Sequence, residues 1–379
     1  MRILLLSDGP QITTGYGIIA RNFGKYLRRK GFEVFFGSLQ NLGEPLYIQV
    51  DGSYVPVYSC YGGQQPYMEK ALRETTPDIV IHVRDPVVLQ AGYFSSPYRL
   101  KPVCSKYGAK TVHWAPIMGE PHPDIVKALQ EDSDLVLMPT EWSYNICLFS
   151  GLPANRMAML RWGVDTEVYK PLPPELMPSR EEMGFTEGRF MIMSASVHDR
   201  IHKAHPILMK AVSILLKKYD VELYLHTGSG AFHLQHYAEI LGLKGRVIIP
   251  SIYLKDWGVP AETMNKIYNV ADVVVSASTL EGANMVICEG LACGKPIVAS
   301  KLPVHVEMTQ DRGLYSDIVA YMPETFHFTM VTTAEMIAAK IEQVIEGWRP
   351  SGVEDYRKWI SWENRVNEFE EVLKKCGWA

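Results

Sequence analysis

Two glutamates eight residues apart, Glu281 and Glu289, stand in the stretch SASTLEGANMVICEGLACGKPIVAS (residues 276–300). An ionised carboxylate only accepts hydrogen bonds, so it suits recognition of hydroxyl groups. The elements around the pair decide where each one points. ADVVVS (271–276) and KPIVAS (295–300) are short, aliphatic and β-branched, and they read as buried parallel strands. Between them Asn284 reads as the N-cap of a helix that begins with Met285 and Val286 and stops at Gly294. Glu281 then sits on a loop outside the carboxyl end of a strand, and Glu289 lies in the second turn of the helix. Doubly wound α/β proteins bind ligands there. The backbone N–H groups of residues 284–286 would attract an anion at the helix start, which fits a ligand offering phosphate and hydroxyls together. A surface Glu and a helix Glu, each paired with a nearby Lys or Arg, remains an alternative for these two residues alone.

A second motif is GYGIIA, with Gly15, Gly17 and Ala20 in the spacing of the dinucleotide fingerprint. Two features oppose a nicotinamide or flavin enzyme. The segment DGPQITT separates Ser7 from Gly15, a longer loop than the fingerprint has, and the second strand EVFFGS ends in Gly37 and Ser38 rather than in an acid for a ribose. The narrower reading is that the glycines let backbone approach a phosphate or sugar; a plain tight turn fits these residues equally.

The elements that must position these groups alternate along the whole chain. With 379 residues, 47% hydrophobic and 21% charged, the sequence describes an ordinary globular enzyme of two or three domains. A net charge of −4 argues against nucleic acid as a partner. The six cysteines form no CxxC pair and no metal-ligand spacing, so they read as reduced thiols in a cytoplasmic protein. The first apolar run ends at Asp8, too short for a signal peptide, and no later run approaches a membrane span.

Strands are expected at 2–7, 33–38, 78–83, 109–114 and 134–138, with a β-rich excursion at 47–58 and helices near 15–30, 67–74, 124–131 and 141–149. Prolines 171, 173, 174 and 178 then crowd a segment that reads as a linker. A second series follows, with strands at 189–194, 221–226, 246–249, 271–276 and 295–300 alternating with helices near 206–218, 234–241 and 262–269. The fold class is therefore α/β, with two tandem Rossmann-like domains. One helical run, 355–375, places Trp359, Trp362, Val366, Phe369 and Leu373 at helical spacing and needs a surface to cover. The helix at 15–30 carries Arg21, Lys25, Arg28, Arg29 and Lys30, either a solvated face or a peripheral contact with an anionic membrane surface.

Four segments taken together resemble the retaining GT-B glycosyltransferases of family 4. They are TTGYGIIARNFGKYLRRKGFEV (13–34), RWGVDTEVYKP (161–171), SASVHDRIHKAHPILMKAV (194–212), and the 276–300 stretch with its E-x7-E spacing and LACGKPIVAS. The resemblance implies domains at 1–168 and 169–355, a helix 356–379 returning to the first, and an active site in the cleft between them. It implies transfer of a hexose-type sugar from a UDP-, GDP- or ADP-sugar to a glycan, lipid or small-molecule acceptor, with retention and without a metal or other cofactor. A nucleotide-sugar epimerase of the same fold, or a non-catalytic nucleotide-sugar binder, is the alternative.

Carried onto this chain, the resemblance makes Glu281 the acid against the donor sugar and Glu289 the ribose-binding acid. Arg200 and Lys203 would meet the diphosphate, and the Arg usually five before the Lys stands here as His198. His113, in TVHWAP, matches the histidine that bonds a sugar hydroxyl, although a satisfied structural histidine is the bland alternative. Gly15, Gly17, Gly228, Ser251 and Ile252 are further expected donor contacts. The family's E-G-F-G is here Glu281, Gly282, Ala283 and Asn284, and the second Glu is followed by Gly290 rather than Ala.

Overall fold

The first aliphatic run becomes β1 (Arg2–Ser7), and α1 (Gly15–Arg29) starts where Thr14 accepts a hydrogen bond from the Gly17 N–H at 3.2 Å. A computed structural model of the chain describes residues 1–41, 43–89, 99–119, 121, 123–196, 202–227, 234–250, 258–323 and 328–378. After α1 come β2 (Glu33–Ser38), β3 (Leu46–Val50), β4 (Ser53–Ser59), α2 (Gln65–Thr75) and β5 (Ile79–Val83). Then follow α3 (Lys101–Lys106), β6 (Lys110–Trp114), α4 (Pro123–Asp132), β7 (Leu135–Met138), α5 (Glu141–Phe149) and β8 (Met157–Met159).

These strands form one sheet in the order β3-β4-β2-β1-β5-β6-β7-β8, parallel throughout except for β3 against β4. Leu4, Leu6, Val80 and Val136 are fully buried at its centre. The strands on either side of β1 are reached by separate crossovers, so the order reverses there and leaves a crevice beyond the carboxyl ends of β1 and β5. The β-rich excursion is the β3–β4 hairpin. It takes up much of the basic face of α1: Arg29 makes two bonds to Asp51 at 2.7 and 2.8 Å, and Arg21 donates to the Gln49 carbonyl.

The second unit repeats the plan. β9 (Phe190–Ala195), α6 (His205–Leu215), β10 (Val221–His226), α7 (Leu234–Ile240), β11 (Val247–Ile248), α8 (Ala261–Val270), β12 (Val273–Ser276) and α9 (Met285–Ala292) follow in order. β13 (Ile297–Ser300), α10 (Pro303–Met308), β14 (Leu314–Ser316), a hairpin of β15 (Ala320–Pro323) and β16 (Phe328–Val331), α11 (Ala334–Ile345) and α12 (Val353–Ile360) complete it. Its six-stranded sheet is parallel in the order β11-β10-β9-β12-β13-β14. Ile192, Leu223, Val273, Val275 and Val298 are its buried centre.

The chain divides into Met1–Gly163 with Ser361–Ala379, and Val164–Ile360. The single run expected at 355–375 is two helices, because Ser361 caps α13 (Trp362–Cys376) by accepting from the Asn364 N–H at 3.2 Å. α12 belongs to the second unit, where the Tyr356 hydroxyl donates to the Met308 carbonyl at 3.0 Å. α13 belongs to the first, where Phe369 and Trp362 pack their rings 5.3 and 5.8 Å from Phe23. The proline-crowded segment is fastened to the second unit rather than free: the Lys170 and Leu172 N–H groups donate to the amide oxygens of Asn265 and Asn269. No helix among the described residues is long and apolar enough to cross a membrane.

Candidate functional site

In the second sheet the order reverses between β9 and β12, and the segments leaving these two neighbouring strands carry Lys203 and Glu281. Their side chains meet, Lys203 Nζ to Glu281 Oε1, at 2.7 Å. The carboxylate is nearly enclosed, 9% exposed against 24% for the lysine. Two backbone bonds hold the loops around this pair. The Thr279 N–H donates to the His202 carbonyl at 2.7 Å, and the Met330 N–H of β16 donates to the Thr279 carbonyl at 2.9 Å.

Two helices begin beside the pair, α6 after Lys203 and α9 after Glu281. Each is preceded by a non-glycine residue in the left-handed region, Ala204 at φ 46° and Asn284 at φ 54°, and neither helix has a side-chain cap. Such a conformation costs on the order of 1–3 kcal/mol and tends to persist at functional sites. Asn284 stands at the N-cap position of α9 as expected, but its side chain makes no capping bond: its amide nitrogen is turned away to Ser276 Oγ and His305 Nε2, each at 2.8 Å. The first N–H groups of α9, at Met285 and Val286, therefore have no side-chain acceptor from the cap residue.

Asn284 also accounts for one departure from E-G-F-G. The position needs positive φ, which Gly adopts freely and Asn tolerates better than most residues. Gly290 has a separate cause. A Cβ there would lie 2.8 Å from Val274 Cγ2, so the helix lies too close to β12 for a methyl group.

Glu289 occupies the second turn of α9 and accepts a hydrogen bond from the Tyr268 hydroxyl at 2.9 Å. Tyr169 packs edge-on against Tyr268, 5.8 Å between centroids. Burial pushes the Glu289 carboxyl up to about 7, against the lowering influence of the Tyr268 bond. This acid is therefore poised between its two protonation states near neutrality.

In the first unit, Gly15 and Gly17 lie in the first turn of α1. A Cβ on Gly17 would stand 2.3 Å from the Ile12 carbonyl oxygen and 2.5 Å from that of Gly9, so the loop's own backbone requires this glycine. At Gly15 a Cβ would meet nothing within 4 Å. Asp8 organises the loop: it accepts from Thr14 Oγ1 at 2.9 Å and pairs with Arg84 at the end of β5.

His113 is corrected. It lies within β6, 2% exposed, with Nδ1 at 2.9 Å from His82 Nδ1 and Nε2 at 3.1 Å from both the carbonyl and the carboxylate of Asp132. Both ring nitrogens are engaged, which leaves none for a sugar hydroxyl. Asp132 also accepts from the Leu100 and Lys101 N–H groups at the start of α3, so the histidine is part of a buried structural network. Arg200, His198, Gly228, Ser251 and Ile252 lie outside the described residues. Asp8, Tyr268 and His305 carry no signal of their own in the sequence; each has its role through a partner distant in the chain.

The second unit can be set beside known proteins. Residues 189–346 match the family model described as Glycosyl transferases group 1. The chain is similar to the putative glycosyltransferase EpsD of Bacillus subtilis (strain 168), 29% identical over 152 residues, 39% of this chain and 38% of that protein. It is also similar to the D-inositol 3-phosphate glycosyltransferase of Paenarthrobacter aurescens (strain TC1), 30% identical over 164 residues, 40% of this chain and 36% of that protein. The chain thus spans under two-fifths of the length of each of these relatives.

Among solved structures, Anabaena Alr3699/HepE in complex with UDP and glucose superimposes with a TM-score of 0.75 at 16% identity, covering 99% of this chain and 100% of that one. That likeness establishes the fold, two Rossmann-like units of the GT-B type. Glu281, Asn284, Glu289 and Lys203 all fall within the segment matched by that family model.

Proposed function

We propose that the protein is a retaining, metal-independent glycosyltransferase that moves a hexose-type sugar from a nucleotide-diphosphate donor to an acceptor hydroxyl. The observation that carries this reading is the meeting of Lys203 and Glu281 at the carboxyl ends of two adjacent strands, with two uncapped helix starts beside them and Glu289 one turn further on. The matched family supports it, as do the UDP and glucose held by the similar Anabaena protein.

In this reading the donor diphosphate takes Lys203 away from Glu281 and lies against the first N–H groups of α9, helped by Arg200. Glu281, released from the lysine, accepts hydroxyls of the sugar. Glu289 holds the ribose diol, Tyr268 fixing the carboxyl's orientation. The departing phosphate assists deprotonation of the acceptor on the face it leaves, and the cations and helix dipole stabilise its charge. UDP-, GDP- and ADP-sugars are the candidate donors, and a glycan, lipid or small molecule is the acceptor.

The test is a turnover assay with UDP-glucose, GDP-mannose and ADP-glucose over an acceptor panel, with the product anomer read by NMR. Nucleotide release with a product of unchanged anomeric configuration is expected. An inverted anomer would refute the retaining mechanism, and conversion of the donor without acceptor would replace transfer by epimerisation.

A further inference from the structure

The donor loop contains a polar relay that the proposed transfer does not itself require. His305, fully buried on α10, has Nδ1 at 2.7 Å from the Ser300 carbonyl oxygen and Nε2 at 2.8 Å from the Asn284 amide nitrogen. A carbonyl only accepts, so Nδ1 carries the ring proton and Nε2 is the acceptor. Ser276 agrees with this assignment: its hydroxyl donates to Ser278 Oγ at 3.1 Å, and its oxygen accepts from Asn284. Both amide protons of Asn284 are thereby directed to Ser276 and His305. The amide's other end, Oδ1, is the part of this half-buried side chain left to accept from a ligand, three residues from Glu281.

Resting on the reading of this site as a sugar-nucleotide site, we propose that Asn284 is a specificity-determining residue whose side-chain oxygen accepts a hydrogen bond from a hydroxyl of the donor sugar, and that neutral His305 is the positioning residue that aims it. A glycine at 284 would satisfy the backbone but contact no sugar. Protonation of His305 would set an N–H against the Asn284 amide protons and turn the amide away. Burial keeps the ring below its ordinary value; Glu281 and the Ser300 carbonyl favour the proton and Lys203 opposes it. Among the described residues, the charged groups facing the ring are Glu281, on the loop after β12, and Lys203, before α6.

The experiment compares affinities for a nucleotide and its sugar conjugate, UDP with UDP-glucose, GDP with GDP-mannose and ADP with ADP-glucose, in wild type, Asn284→Gly, His305→Gln and His305→Leu. Asn284→Gly is expected to keep the nucleotide affinity and to lose about fivefold to tenfold for the conjugate, the effect of one hydrogen bond. His305→Gln, which offers both a donor and an acceptor, should retain conjugate affinity, and His305→Leu should lose it.

In wild type the conjugate-to-nucleotide affinity ratio should fall as the pH is lowered below the ordinary histidine range. In His305→Gln it should not fall. An unchanged ratio in Asn284→Gly, or an acid fall that persists in His305→Gln, overturns the inference while leaving the site intact. Failure of wild type to bind any of the six ligands overturns the site reading itself, before any variant is compared.

Discussion

Replacing Glu289 by Gln is expected to stabilise the protein while weakening nucleotide binding. The Glu289 carboxyl is raised from 4.5 to about 7 by burial, so the folded chain holds its proton well after the unfolded chain has released it. Each tenfold difference in acidity is worth about 1.4 kcal/mol, so the cost of keeping this acid in place is about 3 kcal/mol once pH exceeds 7.

The sign follows from the raised value. Below about 4.5 both states are protonated and Glu and Gln are equivalent; as pH rises, folding requires proton uptake and stability is lost through pH 7. Gln is neutral throughout, and its amide oxygen can keep the bond from Tyr268. Urea denaturation of wild type and Glu289→Gln from about pH 4.5 to about pH 8 should show a difference near zero at the acid end, growing to about 3 kcal/mol in favour of the variant. His82, His226 and His305 titrate equally in both proteins and cancel in the difference. A pH-independent difference, or a variant that becomes relatively less stable in alkali, would refute the buried, proton-holding carboxyl.

Other outcomes follow from the packing and from the buried network. Gly290→Ala should destabilise by about 1–3 kcal/mol, because its methyl group would press on Val274, and combining it with Val274→Ala should recover part of that loss in a denaturation cycle. His113→Phe should cost about 2–4 kcal/mol by removing the buried bonds that His113 makes to Asp132 and His82, yet the folded variant should bind nucleotide as wild type does. A stable His113→Phe variant that no longer turns over substrate would restore that histidine to the site.

Much of the fold was legible because buried parallel strands are written as short aliphatic runs: RILLLS, EVFFGS and VELYLH became β1, β2 and β10 with the expected bounds. β8 and β14, three residues each, carry no pattern of their own and exist by pairing with a neighbour, Met157 beside Val136 and Leu314 beside Val298. The break at Ser361 was hidden because Trp359, Trp362 and Val366 keep helical spacing across it, although a serine that caps a helix is a recognisable stop. α11 was not marked, although Thr333 caps it and Ile337, Ile341 and Val344 form its buried face.

In the candidate site, the strand–loop–helix frame of Glu281 and Glu289 was visible because both lie within one local unit. Three other features depend on tertiary neighbours. Lys203 meets Glu281 from 78 residues away, His305 fixes Asn284 from 21, and the Asp132 network claims His113. Residue type suggested a side-chain cap for Asn284, and its positive φ supplies the physical reason a glycine suits the same position.

In the proposed mechanism the two glutamates have separate tasks, sugar for Glu281 and ribose for Glu289. Titration of UDP, GDP and ADP into wild type, Glu281→Ala and Glu289→Ala tests this division directly. At least one nucleotide is expected to bind wild type, Glu281→Ala to bind it within about twofold, and Glu289→Ala to bind it about tenfold or more weakly. Equal binding by all three proteins, or none by wild type, would contradict that division.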